Sequence, residues 1–217
     1  MQSESSSIKD QLRFLLDVAE GAMHMHGMGL IHKDINPGNV LIFKDEILGH
    51  HAKLADFGIT KEAGATCAGL MGTSGFLPLE CLVSENVTCH ASQDVFAVAV
   101  LLLLVCAKSS MRRPNMFCHE SLFNQKERKK MDLLSKMSDA WADIAFLKSK
   151  IAKRTMGDGS FLEVIVSNDF MDSALTVKKE VCEGLPFFLA AEWSERRDMA
   201  SLKEFVESLE YEQLDLL

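Results

Sequence analysis

The sequence has no apolar run long enough to cross a bilayer, because its longest, residues 95–107, has thirteen residues and a membrane helix needs about 20. Its six cysteines include no C-x-x-C pair, which argues against a zinc site or a secreted disulfide framework. The sequence has no basic block other than residues 126–130, and its net charge is -8. Both features argue against nucleic acid as a partner. The opening residues lack the pattern of a secretion signal. We therefore expect an intracellular, cytoplasmic protein with no membrane span.

The sequence does contain enough apolar material for one core. It has 217 residues, of which 47% are hydrophobic, so we expect a single domain over residues 8–217 behind a polar tail at residues 1–7. An amphipathic helical pattern over residues 8–26 starts with the capping sequence S-x-x-D, and another helical pattern covers residues 199–209. The apolar run 95–107 predicts a buried core helix.

A polar loop with two candidate site residues leads into a predicted β-hairpin. A proline-glycine turn separates Asp34 from Asn39, and the apolar residues 40–42 after it predict a short buried strand. A second run, residues 52–55, leads into Asp56, so the two runs are expected to pair. The residue before the first strand of a hairpin and the residue after the second lie at the same end. Asn39 and Asp56 should therefore face each other beside Asp34.

These three side chains suit a magnesium-dependent transfer of a phosphoryl group. Magnesium prefers oxygen ligands, keeps several waters, and is held by one or two side-chain oxygens plus substrate phosphates, which matches Asn39 and Asp56. A third carboxylate near the metal, Asp34, can accept the proton of an attacking hydroxyl. The spacing indicates a candidate site with one base and two metal ligands.

The run His32-Lys33-Asp34, with Asn39 after it, resembles the catalytic loop H-R-D-x-x-x-x-N of eukaryotic protein kinases. The resemblance implies that Asp34 and Asn39 are catalytic and that Asn39 and Asp56 bind the metal. It also implies ATP and Mg²⁺ as cofactors, a protein as substrate or partner, and a supporting role for His32 and Lys33.

A second group of residues resembles the kinase activation segment. Phe57 and Gly58 complete a match to D-F-G, and composition predicts a surface loop after them. Residues 72–80 are similar to the kinase pattern G-T-x-x-Y-x-A-P-E. The resemblance implies that Phe57, Gly58, Thr73 and Glu80 belong to the activation segment and the substrate shelf.

Two further elements resemble structural supports of the kinase fold. Residues 92–100 are similar to the pattern S-x-D-V-W-S-x-G-V, which implies that Asp94 ties the backbone of the catalytic loop to the central helix. Arg197 resembles the arginine that pairs with the glutamate of A-P-E. We therefore expect a buried ion pair between Glu80 and Arg197.

The resemblance implies a fold class that is mainly α with a short β-hairpin, the large helical lobe of a protein kinase. No G-x-G-x-x-G loop and no V-A-I-K-type lysine precede the catalytic loop, and only 33 residues stand before Asp34. We therefore expect the N-terminal ATP-gripping lobe to be absent. Residues 109–186 are longer than the corresponding kinase connection, so an insertion is expected within them.

Two functions remain open. One is a fragment of a serine/threonine protein kinase, inactive as the chain alone because it lacks the small lobe. The other is a catalytically inactive kinase-like module, a pseudokinase, that binds a protein partner. Intact Asp34, Asn39 and Asp56 favour the first. The missing small lobe favours the second. Two residues also depart from the kinase pattern: Lys33 stands in place of arginine, and Asn36 in place of the lysine that many serine/threonine kinases, but not some tyrosine-kinase-like families, place on the phosphate.

Overall fold

The computed structural model describes residues 7–45, 49–73, 76–78, 80–81, 84–106, 184–190 and 192–209. In chain order its helices and strands are α1 (Ile8–Gly27), β1 (Leu30–Ile31), β2 (Val40–Asp45), β3 (Gly49–Leu54), β4 (Lys61–Glu62), β5 (Thr66–Ala68), β6 (Asn86–Thr88), α2 (Ala91–Cys106) and α3 (Met199–Ser208). Short 3-10 turns are Pro37–Asn39, Leu185–Phe187 and Trp193–Glu195. The three helices pack together, and the strands pair in small sheets.

Helix α1 begins where the capping sequence predicts. Ser7 is extended, and its hydroxyl accepts a hydrogen bond from the backbone N–H of Asp10 at 3.1 Å. Apolar residues recur at helical spacing after it, so one face of α1 is buried against α2 and α3. The helix ends before Gly29, which has a positive φ of 73°. The predicted helix over residues 8–26 is confirmed.

Helix α2 forms the centre of the core, as its apolar composition predicts. All its side chains from Val95 to Leu102 are buried, and so is Leu104. Helices α1 and α3 pack against it through apolar residues such as Leu12 and Leu202. None of the helices in the described ranges is long and apolar enough to span a membrane.

The strands form three separate antiparallel sheets, β1 with β4, β2 with β3 and β5 with β6. The predicted fold class, mainly α with one short hairpin, is therefore wrong, since the described chain has six strands between Leu30 and Thr88. The expected surface loop contains two of them. Leu30 lies opposite Glu62, and Thr66 opposite Thr88. Strands of two or three residues show no readable alternation, so only their distant partners reveal them.

The predicted hairpin is confirmed in its pairing and wrong in its burial. Strands β2 and β3 pair in register along their whole length. The sequence predicts that β2 is buried, yet Leu41, Ile42 and Phe43 are 47%, 48% and 43% exposed. Apolar composition indicates a strand, whereas burial depends on which elements lie over it, and β2 lies at the surface of the described chain.

Most of the predicted insertion lies outside the described residues. Of residues 109–186 only the last three are described, and of the tail at residues 1–7 only Ser7. The next described segment, residues 184–190, belongs to the core, because its residues Leu185, Phe188 and Leu189 are buried. The boundaries 1–7 and 8–217, and the insertion itself, stay predictions.

We expect Asp198→Ala to lower the free energy of unfolding by about 1 kcal/mol, because it removes the N-terminal cap of helix α3. The Asp198 carboxylate accepts a hydrogen bond from the backbone N–H of Ser201 at 2.9 Å. Urea denaturation followed by circular dichroism measures the change. Asp198→Asn is the matched control, because asparagine caps about as well as aspartate and should stay within about 0.5 kcal/mol of the parent.

The same cap predicts a pH dependence. The hydrogen bonds from Ser201 hold the pKa of the Asp198 carboxyl below its ordinary value. A carboxyl with a lowered pKa in the folded state contributes stability at neutral pH and loses that contribution as the pH falls through its folded-state pKa. The stability of the parent relative to Asp198→Asn should therefore fall below about pH 4. An unchanged difference at acid pH would contradict a charged cap.

Candidate active site

The predicted catalytic loop is attached to helix α2 through Asp94. One carboxylate oxygen of Asp94 accepts a hydrogen bond from the backbone N–H of His32 at 2.9 Å. The other oxygen accepts a hydrogen bond from the backbone N–H of Lys33 at 3.0 Å. Nε2 of His26, in the last turn of α1, lies 2.9 Å from the first of these oxygens. Lys33 has a φ of 74°, a backbone conformation that residues other than glycine rarely adopt. Asp94 thus holds a strained backbone turn immediately before Asp34.

The carboxylate of Asp34 is oriented from both sides. Oδ1 accepts the backbone N–H of Thr73 at 2.8 Å and its hydroxyl at 2.6 Å. Oδ2 accepts Nδ2 of Asn39 at 2.9 Å, and the same amide donates to the backbone oxygen of Asp34 at 2.8 Å. The structure therefore brings together three predicted site residues, although Thr73 is 39 positions from Asp34.

Asn36 connects Asp34 to Thr73, a role that its place in the kinase-like motif does not predict. Its side-chain amide donates to the backbone oxygen of Asp34 at 3.0 Å and to the hydroxyl of Thr73 at 3.0 Å. Its oxygen accepts the N–H of Gly38 at 2.8 Å, which forms an Asx-type turn. The available signal was the asparagine before Pro37 and Gly38, which predicts such a turn, but only the structure shows that the amide also reaches Thr73.

The pairing of the hairpin brings the Asp56 segment to Asn39. The backbone N–H of Ala55 donates to the backbone oxygen of Asn39 at 2.9 Å. Nε2 of His32 lies 3.1 Å from the oxygen of Ala55, so His32 connects the catalytic loop to the end of β3. Asp56 follows Ala55 directly and therefore lies at the same end of the hairpin as Asn39.

Asp56, Phe57 and Gly58 form a compact exposed turn. Asp56 has a φ of 60°, and its carboxylate accepts the backbone N–H of Gly58 at 3.2 Å. The ring of Phe57 is 55% exposed, and its centre is 5.2 Å from that of His32. The carboxylate of Asp56 thus faces solvent beside the hairpin end.

Asn39 and Asp56 fit magnesium by the chemistry of their donor atoms. Nδ2 of Asn39 is directed to Asp34, which leaves the amide oxygen to act as a ligand, and Asp56 offers an exposed carboxylate. Across the described ranges, no group of three or more His, Cys, Asp or Glu residues could hold a metal ion. Two oxygen donors match a cation that completes its shell with water and phosphate.

The side chain of Lys33 is turned into the protein. Its Nζ donates to the side-chain oxygen of Gln93 at 2.9 Å and lies 3.8 Å from the sulfur of Cys81. Gln93 in turn donates to the backbone oxygen of Thr88 at 3.0 Å. Gln93 thus connects the loop to β6, a contact for which a single glutamine near a helix start gives no sequence signal.

The expected ion pair between Glu80 and Arg197 is wrong, because Arg196 is the partner of Glu80. Nη1 and Nη2 of Arg196 donate to the two carboxylate oxygens at 2.7 and 2.6 Å. Arg197 instead lies over the ring of Phe187, 4.2 Å from its centre. Two adjacent arginines give the same sequence signal. The structure shows that Arg196 is the buried one of the two.

Known proteins resemble this chain over much of its length. A model of the protein kinase domain matches residues 2–181. A dual serine/threonine and tyrosine protein kinase of Pimephales promelas is 32% identical over 110 residues, which is 51% of this chain and 11% of that protein. The probable serine/threonine-protein kinase gdt9 of Dictyostelium discoideum is 36% identical over 100 residues, 43% of this chain and 6% of that protein. The chain thus spans only a small part of these relatives.

The match also corrects the predicted lobe. We expected a large helical lobe without an N-terminal lobe. The domain match starts at residue 2, and β-sheets lie in the N-terminal half of the chain, so a large helical lobe alone is contradicted. The matched range covers well over half of the chain and includes the loop around Asp34. The chain therefore belongs to the protein kinase domain family.

Proposed function

We propose that this chain carries the catalytic residues of a protein kinase, which transfers the terminal phosphoryl group of ATP to a serine or threonine hydroxyl of a protein. The main support is the Asp34 carboxylate, held by Thr73 on one oxygen and by Asn39 on the other. Phosphoryl transfer depends chiefly on positioning and on charge stabilisation. Such a reaction needs a base whose carboxylate is already oriented before the substrate binds.

The hydrogen bonds around Asp34 leave a place for the substrate hydroxyl. A carboxylate oxygen has two lone-pair positions. Among the described residues, Oδ1 accepts two hydrogen bonds from Thr73, whereas Oδ2 accepts one from Asn39. The open position on Oδ2 would receive the hydroxyl proton as the substrate oxygen attacks phosphorus.

Asn39 and Asp56 would hold Mg²⁺ on the phosphates of ATP. When bound, the ion would neutralise the charge that develops on the phosphates during transfer. The bond from Nδ2 to Asp34 fixes the amide plane of Asn39, and the bond from Gly58 fixes the carboxylate of Asp56. Both ligands are therefore oriented before the metal binds, which lowers the entropy cost of binding it.

The nature of the relatives supports a serine or threonine acceptor. One is named as a serine/threonine kinase and another as a dual serine/threonine and tyrosine kinase. In this chain the hydroxyl of Thr73 touches Asp34, so the segment that carries Thr73 would form the shelf for the acceptor.

A second candidate function is an inactive kinase-like module that binds a protein partner. The exposed apolar surface of the hairpin favours it, because Leu41, Ile42, Phe43 and Phe57 are all more than two-fifths exposed. Leu41 and Phe43 lie on the same face of β2, and exposed apolar patches often mark a protein interface. Phe57 also lines a cleft of about 390 Å³ between α1 and β3, together with Met28. In such a module the bonds around Asp34 would only stabilise the loop.

Transfer of labelled phosphate from ATP to a protein substrate separates the two functions. We expect the protein, purified as the cell makes it, to transfer phosphate. Asp34→Asn should lower kcat about 10²- to 10⁴-fold, because the proton acceptor is lost. Asp10→Asn, which changes a carboxylate in the first turn of α1, is the matched control and should leave kcat unchanged. Equal transfer by the parent and by Asp34→Asn would overturn the catalytic proposal and favour the partner-binding module.

A further inference from the structure

Two buried cysteines outside the candidate active site have their sulfur atoms in contact. Cys67 lies in the middle of β5, and Cys89 follows β6 directly. Their Sγ atoms are 3.0 Å apart, with the Cys89 thiol donating to the sulfur of Cys67. Cys67 is 7% exposed and Cys89 0%. Neither thiol takes part in the proposed phosphoryl transfer.

The backbone of the β5–β6 sheet holds the two cysteines in this arrangement. Cys67 lies opposite Val87 in the sheet. Beyond β6, the N–H of Cys89 donates to the oxygen of Ala65 at 2.8 Å, and its oxygen accepts the N–H of Gly64 at 2.9 Å. Residues two apart in a strand emerge on the same face, so Cys89 shares the face of Val87 and of Cys67. The sulfur contact therefore follows from the register of the sheet.

We propose that Cys67 and Cys89 form a reversible disulfide when the protein meets a peroxide. The two thiols together lose two hydrogen atoms, the O–O bond of hydrogen peroxide breaks, and two molecules of water leave. The sulfurs are oxidised and the peroxide oxygens are reduced. A small thiol reductant returns both cysteines to thiols by thiol–disulfide exchange.

The environments of the two thiols set the order of the steps. Both thiols are buried, but only Cys67 retains any exposure, so its sulfur attacks the peroxide first and becomes a sulfenic acid, with release of one water. Burial and the hydrogen bond to Cys67 raise the pKa of the Cys89 thiol to about 11, so Cys89 stays protonated at neutral pH. The Cys89 thiol passes its proton to the hydroxyl of the Cys67 sulfenic acid as its sulfur attacks that of Cys67, so that the S–S bond forms, the S–O bond breaks and the second water leaves.

The disulfide would connect two supports of the candidate site. Cys67 precedes Thr73 along the chain, and Thr73 holds Asp34. Cys89 precedes α2, whose Asp94 holds the catalytic loop. Oxidation would therefore restrain both supports at once. The proposal depends on the sulfur contact and is independent of the proposed kinase activity.

A third buried thiol in the same apolar cluster supplies the matched control. Cys81 is 0% exposed, and its sulfur lies 3.8 Å from Nζ of Lys33. Burial raises the pKa of the Cys81 thiol to about 11. Cys81 therefore has the burial of Cys89 without its role in the sulfur pair, and we expect it to stay reduced.

The test is to treat the protein, purified as the cell makes it, with hydrogen peroxide. Free thiols are then alkylated, and peptides are analysed by mass spectrometry without reduction. We expect a peptide pair joined through Cys67 and Cys89 that disappears after reduction with dithiothreitol. The Tm should rise by about 5 °C or more on oxidation, because the cross-link restricts the unfolded chain. Cys81→Ala should keep both effects, whereas Cys67→Ser and Cys89→Ser should lose them.

Three results would overturn the proposal. The first is over-oxidation of Cys67 to the sulfinic or sulfonic acid with no cross-link. The second is a cross-link that runs through Cys81. The third is recovery of Cys67 and Cys89 as free thiols after peroxide treatment. The mass spectrum of the parent protein decides among these outcomes even where a serine variant fails to fold.

Discussion

Replacing Glu80 with alanine is expected to lower the free energy of unfolding by about 3–5 kcal/mol, the usual cost of removing one partner from a buried ion pair. The side chain of Arg196 is 0% exposed and that of Glu80 18%. Two parallel hydrogen bonds of 2.7 and 2.6 Å join them. Without Glu80 a buried guanidinium loses its carboxylate partner, although its bonds to the backbone oxygens of Ala190 and Ser92 remain.

The adjacent arginine offers a matched control for this pair. Arg197→Ala should cost no more than about 1 kcal/mol, because its guanidinium contacts the half-exposed ring of Phe187. Arg196→Lys should be clearly destabilising, since an ammonium keeps the charge but cannot form both hydrogen bonds to Glu80. Urea denaturation followed by circular dichroism measures the stability of these three variants and of Arg196→Ala. Equal losses for Arg196→Ala and Arg197→Ala would show that the pairing with Arg196 is wrong.

Asp94→Ala is expected to cause the second large loss of stability, because it removes the acceptor of two buried backbone N–H groups. Each orphaned donor costs about 1–3 kcal/mol, and those of His32 and Lys33 both depend on Asp94. The φ of 74° at Lys33 also loses its support. We therefore expect lower stability together with loss of the ordered geometry at Asp34, and hence loss of the proposed phosphoryl transfer.

The neighbouring residue Ser92 serves as the control for Asp94. Its buried hydroxyl has no hydrogen-bond partner among the described residues, so Ser92→Ala should stay within about 0.5 kcal/mol of the parent. Asp94→Asn keeps one acceptor oxygen but turns an N–H₂ group toward a backbone N–H, so it should remain destabilised. Stability close to that of the parent for Asp94→Ala would contradict the attachment of the loop to α2.

Much of the secondary structure follows from signals within a few residues of each other. The cap at Ser7 and the helical spacing after it predict α1, and the apolar run 95–107 predicts α2. The pairing of β2 with β3 is predictable because the two strands are close neighbours in the sequence. The sheets of β1 with β4 and of β5 with β6 join distant strands, which no local pattern in the sequence predicts.

The candidate site shows the same division between local and distant signals. Motif order predicts that Asp34, Asn39 and Thr73 belong to one site, and the structure places all three within hydrogen-bond distance. Their catalytic roles stay predictions. The amides of Asn36 and Gln93 were missed, because a side-chain amide bonds to whatever the fold brings near it.

By itself the sequence determined the helices, the hairpin and the protein kinase family, because periodicity, turn residues and the order of motifs are properties of the chain. Only the tertiary structure decided that Glu80 pairs with Arg196, that β2 is exposed, and that the sulfurs of Cys67 and Cys89 touch. Those contacts depend on which distant segments meet and on which face each one presents. A linear pattern of residues does not specify either.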